Sequence, residues 1–198
     1  MPLPCLLCGD AAWQQAYDWL CRQRCHAPPD ADVWDLRWRW SQEGPVMYRC
    51  VTAGTWRLSP MLVNGHSKEA QAMWSARDAL VLKWVALIAG HQLPQHDSCM
   101  HLWGKGVRMS LSLVAEAMHR GRFRFVHRTD IRGYYQHIRK SQVINLVNRY
   151  VSSPVYQDLI RQYVHYSVEK GGEIRTPQTG IPRGCSLSLL IGEPAALY

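Results

Sequence analysis

Asp130 closes a short run, FVHRTD, whose residues favour extended backbone, and Gly133 opens a turn three positions later. A carboxylate held at the open end of a strand can bind a divalent cation, and the carbonyl of Ile131 can add a second hard oxygen. Two such ions drive nucleotidyl transfer: one eases formation of an alkoxide nucleophile, the other neutralises the departing pyrophosphate. The plainer reading of the same carboxylate is a turn or capping residue. Downstream, TPQTGIPRGCSLS at residues 176–188 places Gly180, Pro182 and Gly184 in a loop where backbone can approach a ligand closely. On its own, that loop is an ordinary turn.

The charge around Asp130 is lopsided. Residues 120–140 hold seven cations (Arg120, Arg122, Arg124, Arg128, Arg132, Arg139, Lys140) against one acid, with Phe123, Phe125, Tyr134 and Tyr135 interleaved. Cations beside stacking rings suit a nucleic acid, although a solvated basic face reads the same way. The whole chain of 198 residues carries a net charge of +8, which favours an anionic partner. Hydrophobic residues make up 47% and charged ones 19%, a globular balance. The longest apolar stretch, ALVLKWVALIAG at residues 79–90, is short and interrupted by Lys83, so no membrane span is expected. The opening residues lack the basic and apolar regions of a signal peptide, and a cytoplasmic protein is expected.

The elements that must position these residues read as helical first and mixed later. Residues 11–24 can form a helix, APPDAD at residues 27–32 a loop, and the tryptophans of VWDLRWRW a packed helical layer. AGTWRLSPML at residues 53–62 reads as extended. Met73, Ala76, Leu80, Trp84 and Leu87 predict an amphipathic helix over 70–87. Residues 109–118 predict another, ending at Gly121. A strand is expected over 124–131, then a helix capped by Ser141, and a second helix begun by Pro154. A Gly171-Gly172 turn and a strand over 173–175 follow. The pattern predicts an α+β domain. The cysteines Cys5, Cys8, Cys21 and Cys25 have a spacing that overlaps zinc fingers. Only four residues precede the first pair and no hairpin flanks it, so reduced thiols are the alternative.

DIRGYYQHI resembles the first palm motif of reverse transcriptases, especially the bacterial group II intron and retron-like kinds, whose pattern is close to D-I-K-G-F-F-D-x-I. TGIPRGCSLS resembles the family's next motif, [TQ]-G-x-P-Q-G-x-x-x-S-P, with matches at Gly180, Pro182, Gly184 and Ser188. GTWRLSPML, SARDALVLKW and HLWGKG are similar, in order, to segments upstream of that palm. The resemblance covers roughly residues 53–190. It implies a right-hand polymerase fold: an N-terminal helical region (1–52), a fingers-like region (53–122) and a partial palm (123–198). It implies RNA-directed DNA polymerase activity with Mg²⁺ or Mn²⁺, an RNA template, a nucleic-acid primer and deoxynucleoside triphosphates.

Residue by residue, the resemblance makes Asp130 the catalytic metal ligand, with Ile131 beside it. Tyr135 falls at the ring that excludes a 2′-hydroxyl, and Gln178, Arg183 and Gly184 at nucleotide contacts. Arg77, Arg122, Arg124 and Arg128 are expected on nucleic acid. Three positions depart from the pattern: Gln136 replaces an acid, Arg183 a glutamine and Leu189 a proline. The family's second carboxylates, a Tyr-x-Asp-Asp turn, have no counterpart. Downstream of Asp130 lie only Asp158, Glu169, Glu173 and Glu193. One carboxylate does not hold two ions about 3.5–4 Å apart. A helix expected after Ser188 would be broken by Pro194. The expectation is therefore a palm cut short before that turn, inactive in DNA synthesis by itself. The alternative is a nucleic-acid-binding remnant that never catalyses.

Overall fold

The computed structural model describes residues 9–64, 71–94, 106–121, 123 and 125–197. Cys5, Cys8, Arg122 and Arg124 lie outside the described residues, as do HLWGK of the upstream segment. The chain runs α1 (Gly9–Gln23), α2 (Asp32–Trp38), α3 (Trp40–Thr52), β1 (Met61–Asn64), β2 (Gln71–Met73), α4 (Ala76–Ala89) and α5 (Gly106–His119). It continues through α6 (Tyr134–His137), α7 (Lys140–Tyr150), α8 (Pro154–Val164), β3 (Val168–Lys170), β4 (Glu173–Arg175) and α9 (Ser186–Leu197). The fold is mixed α and β: helices predominate around one four-stranded sheet of order β2-β1-β3-β4. β1 pairs antiparallel with β2 and parallel with β3, and β3 pairs antiparallel with β4.

The central element is α4. It is apolar all round, with Leu80, Val81, Leu82, Trp84 and Val85 buried, so α1, α8 and α9 can all pack on it. Trp13 of α1 and Tyr156 of α8 each meet Trp84 edge to face, with ring centroids 5.8 and 5.3 Å away. The helix starts later than its apolar periodicity suggests, because residues 71–73 pair with β1 instead. Ser75 caps it: its Oγ accepts from Asp78 N at 3.0 Å and donates to Asp78 Oδ2 at 2.8 Å. Buried Asp78 also accepts from Trp56 Nε1 at 3.0 Å and Ser59 N at 3.1 Å, which fastens the extended 53–60 segment to the helix. Desolvation raises its carboxyl above the ordinary value, against the pull of those hydrogen bonds.

Three expectations are corrected. No strand forms over residues 125–131, and all of them are exposed, Phe125 at 80% and Ile131 at 66%. Extended backbone needs a hydrogen-bonded neighbour, and among the described residues none runs beside this segment. Ser141 does not cap α7; Arg139 stands at the N-cap without a side-chain bond. Pro194 does not break the last helix, which continues to Leu197. Proline costs that helix one backbone bond, while Leu187, Leu190 and Ile191 hold it by burial against the core. No helix among the described residues is long and apolar enough to cross a membrane.

Candidate functional site

The two motif strings meet in space. Ile181 N donates to Tyr135 O at 3.0 Å and Gly180 N donates to Ile138 O at 3.0 Å, so the 176–184 loop is zipped to the turn around α6. Gly180 is required there. Its φ is +78°, and a Cβ would lie 2.8 Å from Tyr135 O and 2.9 Å from Gln136 Cα. The loop is pinned from below as well. Tyr163, fully buried in α8, donates through its hydroxyl to Pro182 O at 2.8 Å. Lys140 reaches Pro177 O with its ammonium while resting 5.2 Å above the ring of Tyr166.

α9 completes the seat of Tyr135. A Cβ on Gly192 would stand 3.1 Å from Tyr135 Cε1, a tight contact that a bare glycine avoids, and the Tyr134 hydroxyl donates to Gly192 O. The rings of Tyr134 and Tyr135 meet edge to face at 5.4 Å. Half-buried Tyr135 has its phenol pushed up by desolvation, and the nearby Arg183 charge opposes that shift. Tyr135, Arg183 and Gly184 all line a cleft of about 680 Å³, within the range of small-ligand sites. β1 and β2 contribute Met61 and Met73 to the same cleft, α1 contributes Trp19, and the turn after it contributes Arg24.

The other expected residues lie elsewhere. Asp130 and Ile131 are exposed on the unpaired 125–131 segment, and neither lines the cleft. Arg128 is exposed on the same segment. Gln178 donates to Thr176 O at 3.4 Å within its own loop. Arg77 is held inward: it donates to Glu43 at 2.8 and 2.9 Å and to Asp35 at 2.9 Å, tying α4 to α2 and α3. That bond keeps the Asp35 carboxyl below the ordinary value. Cys21 and Cys25 are free thiols. Cys185, buried in the cleft's lining, has its thiol pushed up to about 12 by desolvation, which disfavours the thiolate.

A two-ion centre does not fit the described residues. Among them no group of three His, Cys, Asp or Glu is placed to hold a metal. Asp158 is tied to Arg57 at 3.2 Å and Gln162 at 2.8 Å, and Glu169 accepts from Gly172 N at 2.9 Å in the hairpin turn. Sequence reasoning missed the part played by α1. Nothing in residues 9–24 resembles the family motifs; the packing of α1 on α4 brings Trp19 to the cleft, and bonds to Asp32 and Trp74 bring Arg24.

No protein-family model matches the sequence, and no curated protein matches it. Solved structures do. A partial Cas6-RT-Cas1–Cas2 complex aligns with a TM-score of 0.56 at 16% identity over 95% of this chain and 33% of that one. The Cas6-RT-Cas1–Cas2 complex aligns with the same score, identity and coverage of this chain, over 21% of its own. The chain thus spans a third or less of the length of these neighbours, which contain a reverse transcriptase. At this identity the likeness shows the fold alone.

Proposed function

We propose that this chain is the nucleotide- and template-binding part of a reverse transcriptase, with a right-hand polymerase fold. The observation that carries the reading is the junction of its two motif strings at the cleft: Tyr135 and Arg183, 48 positions apart in sequence, line one cavity because Gly180 and Ile181 bond to the α6 turn. In this reading Tyr135 stacks under a sugar and excludes a 2′-hydroxyl. Arg183 and Gly184 contact the nucleotide. The cations at Arg122, Arg124 and Arg128 follow the phosphates of an RNA template and its primer.

Asp130, with the carbonyl of Ile131, would offer Mg²⁺ or Mn²⁺ a single carboxylate. That donor set does not hold two ions, and no chemical step is assigned to this chain alone. The structural neighbours' reverse transcriptase content supports the family reading. Binding is tested with a labelled RNA oligonucleotide titrated over a range of salt. A linear loss of log affinity with log salt is expected, shallower once Arg122, Arg124 and Arg128 are neutralised. Primer extension with Mg²⁺ and an RNA template is expected to give no product. Synthesis that depends on Asp130 would overturn the non-catalytic part of the reading.

A further inference from the structure

The cleft is built from both signs of hydropathy but one sign of charge. No Asp or Glu lines it, while two guanidiniums do, those of Arg24 and Arg183. Trp19, Tyr135 and Tyr166 bring flat rings to the same walls. An anion joined to a planar ring matches that lining better than an apolar or a cationic ligand. Arg183 is exposed at the lip. Arg24, in contrast, is a fixed group. Its Nη1 donates to Asp32 Oδ1 at 3.1 Å, and its Nη2 donates to the carbonyl of Trp74 at 2.7 Å. Its side chain is only 16% exposed.

Asp32 is held in turn by Ala76 N at 2.5 Å, at the start of α4, and it does not line the cleft. The carboxylate therefore orients the guanidinium from behind. Arginine has five N–H donors, and these two bonds leave others for the cavity its side chain lines. Orientation before binding spares the entropy of ordering a long side chain. Gln23, one position earlier at the end of α1, is exposed and adds a neutral amide to the same wall.

We infer that Arg24, outside every motif that marks the family, is a preset phosphate contact for the nucleotide unit the cleft accepts, and that it shares this task with Arg183, which lines the same cleft. The inference rests on the reading that the cleft binds nucleotides. The chemistry at Arg24 is the same for the phosphate of a free deoxynucleoside triphosphate and for that of a residue in a single strand.

The test uses the full chain in metal-free buffer, with dTTP in one arm and a labelled 12-residue RNA in the other. Each is titrated between roughly 50 and 200 mM salt, the range over which phosphate contacts express themselves. Arg24→Gln is expected to make the salt slope shallower by about 1 and to weaken binding roughly tenfold, and Arg24→Lys to restore the slope. Because Arg24→Gln also loosens the turn after α1 from Asp32 and Trp74, Gln23→Glu provides a variant with no structural bond to lose. A carboxylate there repels phosphate, so affinity is expected to fall with the melting temperature unchanged. Binding in either arm that responds in this way bears the inference out and identifies the source of the phosphate. Wild-type binding with an unchanged slope in Arg24→Gln, or unchanged affinity in Gln23→Glu, overturns the inference alone. No binding in either arm overturns the nucleotide reading and the inference with it.

Discussion

Gly180→Ala is the substitution that most sharply probes how the two motif strings are joined. At φ +78° an alanine pays about 1–2 kcal/mol for the left-handed conformation. Its Cβ would also press on backbone, 2.8 Å from Tyr135 O and 3.0 Å from Gln136 O, so the loop must lift from the α6 turn. Lifting it breaks the Gly180–Ile138 and Ile181–Tyr135 hydrogen bonds, each worth about 1 kcal/mol. The sum is about 3–4 kcal/mol, or a fall in Tm of roughly 6–16 °C for a chain of this length. Gly171→Ala is the control: its φ is +61°, but nothing lies within 4 Å of the added Cβ. It should cost only the conformational term, about 1–2 kcal/mol. Thermal melting followed by circular dichroism compares the two. If Gly180→Ala is no more destabilising than Gly171→Ala, the loop does not sit on the α6 turn and the cleft is not assembled as described.

Other perturbations separate structural from binding roles. Tyr163→Phe leaves the Pro182 carbonyl without its buried donor and should cost about 1–3 kcal/mol in urea unfolding while weakening oligonucleotide binding through the loop. Arg77→Ala should lower the urea midpoint modestly, because it unties α4 from Asp35 and Glu43 and leaves both carboxylates to Arg39, with the salt slope of RNA binding unchanged. Asp78 gives a pH signature. Its folded pKa lies above the ordinary 3.8, so the native state binds more protons there, and its contribution falls as pH rises from that value through the raised one. Asp78→Asn should lack this decline when the two unfolding profiles are subtracted, and parallel profiles would count against a strained buried carboxylate.

Sequence made the helical layer and the late hairpin readable, because their signals are local. Pro154 at the start of α8 and Gly171-Gly172 between β3 and β4 fix backbone conformation wherever they stand. The pairing of β1 with β3 in the four-stranded sheet was not readable: they are more than a hundred positions apart, and their union depends on tertiary packing. The strand expected over 124–131 fails for the opposite reason. Its residues have β propensity, but propensity without a partner leaves Phe125, Val126 and Ile131 in solvent. At the site, Tyr135, Arg183 and Gly184 were legible from their motifs. Arg24 and Trp19 were not, since Trp19 reaches the cleft by the packing of α1 on α4 and Arg24 by its bonds to Asp32 and Trp74. Arg77 carried the right charge for a phosphate, yet its neighbours Asp35 and Glu43, far upstream, decide where its guanidinium points.

The most direct measurement is fluorescence anisotropy of a labelled RNA oligonucleotide titrated with the wild-type chain at several salt concentrations, without metal. The account predicts saturable binding whose log affinity falls linearly with log salt, with a slope that becomes shallower by about 1 for each phosphate-contacting arginine removed. Absence of saturable binding at the lowest salt, or an affinity indifferent to salt, would contradict it.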